Sequence, residues 1–381
     1  PPRSTLFPYT TLFRSGISMK KLGFGLMRLP KKGPFTDIEQ TKKMVDMFLA
    51  AGCTYFDTAY VYLGSEAAAK KALVSRHPRD SYTLATKLNV NVAANKKAAE
   101  KQLETSLSRT GAGYFDYYLL HAIMDNNYKK YDKFGLWDFV SEQKQKGTLK
   151  HIGFSFHAGP DLLDKLLAAH PEVDFVQLQI NYADWENPSV QSRANYEVAR
   201  KHGKQIVIME PVKGGNLAKP PKEVETLFRS YAPDASPASW AIRFAASLPG
   251  VLAVLSGMSD TAQMADNLSY MRDFKPLNEE EQKIIQQAQQ ILGKSSAIPC
   301  TACRYCTEGC PKNIPIPDVF AAANKWLANG RMEEAKESYA AAVNGAGKAS
   351  DCIHCRQCEK VCPQHIDITA RLEKISGFLE P

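Results

Sequence analysis

Nine cysteines stand in this 381-residue chain, and eight of them fall into two runs near its C-terminal end. Cys300, Cys303, Cys306 and Cys310-Pro311 are echoed by Cys352, Cys355, Cys358 and Cys362-Pro363, so each run reads C-x-x-C-x-x-C-x-x-x-C-P. This is the thiolate spacing that holds 4Fe-4S cubes in pairs, three cysteines of a run on one cube and the fourth reaching across to the other. On that pattern Cys300, Cys303, Cys306 and Cys362 bind one cube, and Cys352, Cys355, Cys358 and Cys310 bind the other. A structural zinc ion also takes C-x-x-C pairs, but four ligands fill it and the third and fourth cysteines of each run are then surplus. A disulfide framework suits a small secreted chain rather than cysteines crowded at one end of a long one.

A second set of reactive side chains lies upstream: Asp57, Tyr62, Lys87 and His121. Together they make sense as an acid–base site. Tyrosine is a poor proton donor at its ordinary pKa of about 10, and a neighbouring ammonium such as Lys87 favours the phenolate and brings that value toward working pH. Asp57 would hold and balance Lys87, while His121 would hydrogen-bond a substrate carbonyl oxygen and fix its approach. A carbonyl that gains a hydride needs a proton at oxygen, and Tyr62 could supply it. Singly, each residue has a plainer reading: a cap, a solvated strand-end charge, a satisfied histidine, one of sixteen tyrosines.

Their common feature is position. From Lys20 to about Leu292 short β-rich runs alternate with longer amphipathic ones. The predicted strands are 23–29, 54–57, 82–86, 114–120, 151–154, 175–179, 205–209 and 251–255, with helices over 37–51, 64–75, 95–108, 133–146, 159–169, 188–201 and 236–246. Eight strand–helix units match a (β/α)8 barrel, which carries its chemistry at the C-terminal ends of its strands. The four residues fall where the second, third and fourth strands end. An open doubly wound sheet would carry G-x-G-x-x-G after its first strand, and Gly23-Phe24-Gly25 is followed by Leu26, Met27 and Arg28 instead. One more helix is predicted over 278–292, and alanine-rich helices over 317–329 and 332–343 separate the cysteine runs.

Residues 20–292 resemble the aldo-keto reductase family, above all in the D-T-A-x-x-Y-x-x-S-E segment from Asp57 to Glu66. The whole chain resembles the branch of that family with a C-terminal two-cluster, ferredoxin-like 4Fe-4S domain. The resemblance implies a TIM barrel, a nicotinamide cofactor across its mouth, and Asp57, Tyr62, Lys87 and His121 as the catalytic tetrad. It further implies cofactor contacts from Ser155, where Phe156 replaces the family's usual amide, and from Gln179, with Tyr182 stacking on the nicotinamide. Glu210, Lys213 and Gly214 match the loop after the seventh strand, and Ser256, Gly257, Gln263 and Asn267 the segment after the eighth. Many members place a lysine and an arginine there on the 2'-phosphate of NADP; this chain has Gly257 and Gln263, so NAD(H) stands beside NADP(H) as the expected cofactor. Tyr182, Trp185 and the Tyr128–Tyr131 region are candidates either for substrate contact or for packing over the barrel top, and 122–133 reads as a substrate-selecting flap.

The expected organisation is thus an α/β TIM barrel over 19–292, a linker over 293–298 and a small all-helical ferredoxin-like domain over 299–381. Residues 1–18 resemble an in-frame translation of a DNA-sequencing adapter, with Met19 as the expected native start. The formal charge of +8 falls to roughly +4 once two cubes with their thiolates are counted. With no basic run carrying interleaved aromatics, nucleic-acid binding is not expected. No apolar run reaches membrane-spanning length, and clustered thiolates imply a reducing, cytoplasmic compartment. Lone Cys53 reads as a packing residue. The expected activity is reduction of a small aldehyde or ketone by NAD(P)H. A hydride carries two electrons and a cube one, so the clusters read either as a structural staple or as a single-electron path from a partner protein to a barrel-bound substrate or flavin. A third reading makes the protein an electron-transfer module on a vestigial barrel, against which the intact tetrad argues.

Overall fold

A computed structural model of the chain describes residues 11–12, 18–328 and 330–380. The adapter-like segment falls mostly outside the described residues; Thr11–Leu12 pairs antiparallel with Ser18–Met19. Two compact units divide the chain. One comprises the residues up to Glu186 with Gln191–Pro211 and Ala238–Glu279, and the other Asn187–Val190, Val212–Pro237 and the residues from Glu280 onward. Among the described residues no helix is long and apolar enough to cross a membrane.

The first unit is a closed barrel of eight parallel strands: β1 (Leu22–Gly25), β2 (Tyr55–Asp57), β3 (Thr83–Leu88), β4 (Phe115–Ile123), β5 (Leu149–Phe156), β6 (Phe175–Gln179), β7 (Gln205–Met209) and β8 (Val251–Ser256). Each strand pairs with its neighbour in sequence, and β8 closes onto β1. All eight predicted strands are present, with ends shifted by a few residues. The predicted first strand ran on to Leu29, whereas the chain turns through a 3-10 helix at Leu26–Arg28, where the Leu26 carbonyl accepts the Ser65 hydroxyl at 2.9 Å.

Strand alternation decides what fills the barrel. Tyr55, Tyr117 and Phe175 belong to one buried cluster with Ala85, Leu119, Val207 and Ala253, and Tyr117 lies 5.0 Å from the Tyr55 ring and 5.2 Å from that of Phe175. Gly153 in β5 makes room for this layer, since a side chain there would meet the Phe175 ring at 2.7 Å. Phe56 points the other way, packing its ring edge-on to Phe48 at 5.1 Å under helix Ile38–Ala50. Two residues beyond the apolar layer, the same inward faces carry Asp57, Lys87 and Gln177. An apolar floor thus supports a polar tier toward the strand ends.

In the second unit, helices Ile316–Leu327, Met332–Ala342 and Ile368–Leu379 bury Val319, Phe320, Ala323, Tyr339, Leu372 and Ile375 in one core. Ile298, at the end of the expected linker, joins that core, with its N–H and C=O both held by the Asn324 side chain. The Tyr339 hydroxyl gathers the C-terminal end, donating to Glu380 and accepting from Ala349 N–H at 2.8 Å. From Glu280 on, the described residues contain no strand, in accord with an all-helical module.

Candidate active site and cluster ligands

The tetrad residues expected from sequence converge in the barrel. Lys87 is completely buried, and its ammonium donates to Asp57 Oδ1 at 2.5 Å and to the Thr58 carbonyl at 2.7 Å. Gln177 Nε2 donates to the other Asp57 oxygen at 3.2 Å. Burial lowers the pKa of Lys87 and raises that of Asp57, while the contact between them opposes both shifts. The same ammonium lies 4.9 Å from the centroid of the Tyr62 ring, and that ring stands edge-on to His121 at 5.6 Å and 81°. Tyr62 is half-buried, whereas its three companions are buried. Burial, then Lys87, then His157, hold His121 well below its ordinary pKa, so its ring is neutral at neutral pH.

The rest of the D-T-A-x-x-Y-x-x-S-E segment holds the loop that carries Tyr62. The Thr58 and Ser65 hydroxyls hydrogen-bond at 2.7 Å, and buried Glu66 accepts from Thr86 at 2.8 Å and pairs with Arg109 at 3.3 Å. Thr58, Ser65 and Glu66 lie in the segment that carries the resemblance, which assigns them no role, and sequence reasoning missed Gln177. Its signal is alternation: Phe175, Gln177 and Gln179 share one face of β6.

The expected flap is a correction. Residues 122 and 123 continue β4, a short helix spans Tyr128–Lys133, and Tyr131 is completely buried with its hydroxyl on the His121 carbonyl. Asn127 clasps the turn, donating to the Ala122 carbonyl at 2.8 Å and accepting from Met124 N–H at 2.8 Å. The segment is packed against the tetrad's own strand, because the positive φ of 54° at Ala122 and the register shift after Leu120 fold it back.

The residues matched to a cofactor are spread over several strand ends. The Ser155 hydroxyl accepts from Ala122 N–H at 2.7 Å, Gln179 donates to buried Asp184 at 3.1 Å, and Ser256 donates to Asn267 at 2.6 Å. Tyr182 is completely buried, edge-on to Phe244 at 6.2 Å, and Trp185 packs between Phe244 and Tyr196. Glu210 meets Arg28 at 3.6 Å, and the Arg28 side chain runs along Gly257, a cation not foreseen from sequence. Gln263 is committed to a helix start: its N–H and side-chain amide both donate to Asp260, at 2.7 and 3.0 Å, and its Oε1 accepts from Ser259 N–H at 2.9 Å. Lys213 and Gly214 belong to the second unit. Cys53 is fully buried, its thiol pushed up to about 11 by burial, which suits packing rather than nucleophilic chemistry.

The cysteines divide as their spacing implies. One cavity is lined by Cys300, Cys303, Cys306 and Cys362, and a second by Cys310, Cys352, Cys355 and Cys358; Ile316 lines both. Among the described residues no three His, Cys, Asp or Glu side chains are grouped to hold a single ion; the sulfurs of each set instead surround a cavity. Burial and the neighbouring Cys303, Cys300, Cys362 and Cys358 sulfurs push the Cys306 thiol up, and burial takes Cys358 up to about 11. Loading a cube therefore replaces held protons by iron. Backbone geometry repeats along with the sulfurs: left-handed Ala302, Arg304 and Asn313 recur at His354, Arg356 and His365, each 52 residues on, the same offset as the cysteines. The first run is also held by a loop of the second unit. Asn216 donates to the Cys300 carbonyl at 3.2 Å, and a side chain on Gly214 would meet the Thr301 carbonyl oxygen at 2.5 Å.

Two stretches of the chain match known families. Residues 299–366 match the pattern of a 4Fe-4S dicluster domain. A curated relative, aldo-keto reductase str7 of Strobilurus tenacellus, is 29% identical over 212 residues, covering 52% of this chain and 60% of its own length. Another, an aldo-keto reductase of Mycobacterium avium (strain 104), is 28% identical over 261 residues, covering 68% and 83%. A solved aldo/keto reductase from Klebsiella pneumoniae, in complex with NADP and acetate, superposes with a TM-score of 0.60 at 18% identity over 74% of this chain and 95% of that one. Residues 21–290 match the Aldo/keto reductase family itself, and the chain belongs to that family.

Proposed function

We propose that the barrel reduces a small aldehyde or ketone, with Tyr62 giving the proton to the carbonyl oxygen. The observation that carries this reading is the placement of one ammonium: Lys87, clamped by Asp57 and the Thr58 carbonyl, lies 4.9 Å from the Tyr62 ring centroid. A nicotinamide, when bound, supplies the hydride. Every other role falls to side chains. The positive charge of Lys87 favours the phenolate left behind when Tyr62 gives up its proton. Asp57 and Gln177 hold that charge in place, so no reorganisation is needed during the reaction. Neutral His121 has an imidazole N–H to offer the carbonyl oxygen, and Tyr131 fixes its backbone.

The cofactor reading rests on the family's pattern together with the donors at the strand ends. Ser155, Gln179, Ser256 and Asn267 supply buried polar groups at the ends of β5, β6 and β8 and on helix Thr261–Met271. The Klebsiella protein holds NADP; here Gly257 and Gln263 replace the two cations of the family pattern, with the Asp260 carboxylate bonded to Gln263, and we read NAD(H) as the preferred partner of this barrel. The thiol-rich second unit suits a reducing cytoplasm. The test is Tyr62→Phe in the fully loaded protein. Carbonyl reduction is expected to fall roughly a hundredfold to ten-thousandfold, with nicotinamide binding, followed by fluorescence, unchanged. Retention of wild-type turnover by this variant would end the proposal.

A further inference from the structure

The two cysteine sets differ in exposure. Cys355 is exposed, with Cys310 and Cys352 partly buried and Cys358 buried, whereas the other set has two partly buried and two buried sulfurs. Around Cys355 the wall of the cavity is itself open: Ile353 is 56% exposed, and Lys312 and Arg356 line the same cavity with exposed side chains. Of the nearby carboxylates, Glu359 is partly buried and Asp351 is exposed, and both accept hydrogen bonds. Asp351 accepts from Lys348 N–H at 2.7 Å, and Glu359 accepts from the Thr369 N–H and hydroxyl, both at 2.8 Å. Glu359 meets Arg356 only at 3.8 Å, leaving the arginine side chain 69% exposed. Exposed Glu308 beside Gly309 takes back one charge of the rim. The result is an isolated apolar side chain flanked by two projecting cations, directly over the more accessible cube site.

Four thiolates and their cube carry net negative charge, which on its own repels an acidic protein. Lys312 and Arg356 place positive charge where a partner would touch, and Ile353 gives it an apolar contact that sheds water on docking. We propose that Ile353, Lys312 and Arg356 form the docking surface of a small acidic one-electron carrier protein that reduces the cube held by Cys310, Cys352, Cys355 and Cys358. This rests on both cubes being in place. The carrier loses one electron and the cube gains it; no bond forms or breaks and no proton moves. Ile316, which lines both cavities, would stand between the two cubes.

The experiment uses the full chain, reconstituted anaerobically to about eight iron atoms. The acidic probe is plant-type ferredoxin, with cytochrome c as the basic control and phosphatidylglycerol vesicles as the anionic lipid control. Ferredoxin binding is expected to weaken at least tenfold between about 50 and 300 mM salt. The double substitution Lys312→Gln and Arg356→Gln is expected to weaken low-salt binding about tenfold, and Ile353→Ser alone several-fold. Iron content and reduction by dithionite stay at wild-type values in both. Binding indifferent to salt and to both variants, binding of cytochrome c in preference, or binding to the vesicles alone overturns the assignment. A wild-type chain that reconstitutes with iron for one cube or none removes the two-cube basis instead, a separate outcome read before any carrier is added.

Discussion

Replacing Gly214 by alanine puts one methyl group where the chain has no room for it. The added carbon would lie 2.5 Å from the Thr301 carbonyl oxygen, 2.6 Å from its Cα and 2.8 Å from its Cβ. Two of these atoms are backbone, so no rotamer change relieves the clash. Gly214 also has a φ of +66°, which costs an alanine roughly 1 to 2 kcal/mol. Overpacking adds about 1 to 3 kcal/mol, for a total of about 2 to 5 kcal/mol. The relief available is for Thr301 to retreat, which draws Cys300 with it and breaks the hydrogen bond from Asn216. Iron and sulfide per chain, measured after reconstitution and again after heating, are therefore expected to drop for the cube held by Cys300. Gly215→Ala is the control, because φ is +101° there but nothing lies within 4 Å of an added carbon, so it reports strain without the clash. If Gly215→Ala sheds iron and Gly214→Ala keeps it, the close approach to Thr301 is not why a glycine stands at 214.

Asp57→Asn leaves the Lys87 charge buried without its counterion, and a loss of about 3 to 5 kcal/mol in urea unfolding is expected; adding Lys87→Met to it should restore much of the stability and none of the activity. His121 titrates well below its ordinary 6.5 when folded, so the unfolded chain binds the extra proton first and stability falls as pH drops below 6.5, by up to about 1.4 kcal/mol per pH unit. His121→Asn should flatten that slope in urea midpoints compared between pH 7.5 and 5.5. Asp260→Ser keeps a helix cap while removing a carboxylate. Its expected effect is about tenfold tighter NADPH binding with NADH binding unchanged, read by fluorescence titration.

The barrel was legible because alternation of short β runs and amphipathic helices is a repeated, local signal, and the tetrad because its members end consecutive strands. The cysteine sets were legible because thiolate spacing is a covalent property of the chain. Gln177 was not, since a glutamine inside an apolar run becomes a partner of Asp57 only when the barrel closes. Between substrate contact and packing, the two readings of the Tyr128–Tyr131 region, Tyr131 packs, because the left-handed turn at Ala122, which a polar loop sequence does not reveal, folds it back onto His121. Helix Thr261–Met271 carries a readable start in Asp260, yet the phosphate reading of this segment considers Gln263 and passes over its cap. Helices Lys222–Tyr231 and Ile368–Leu379 also went unforeseen, the first with just Val224 and Phe228 as its buried stripe.

The crossed ligand sets give the second unit a nested topology. Cys300 and Cys362 bracket the outer loop, and Cys310 and Cys352 bracket an inner one lying wholly within it. Closing a loop of some sixty residues in a flexible chain costs roughly 3 to 4 kcal/mol of entropy, and whichever cube assembles first meets that cost for both, because it brings the four sulfurs of the other within reach. Loading of the second cube is then expected to be easier than that of the first, which would appear in partly loaded preparations as an excess of full and empty molecules over what independent sites give.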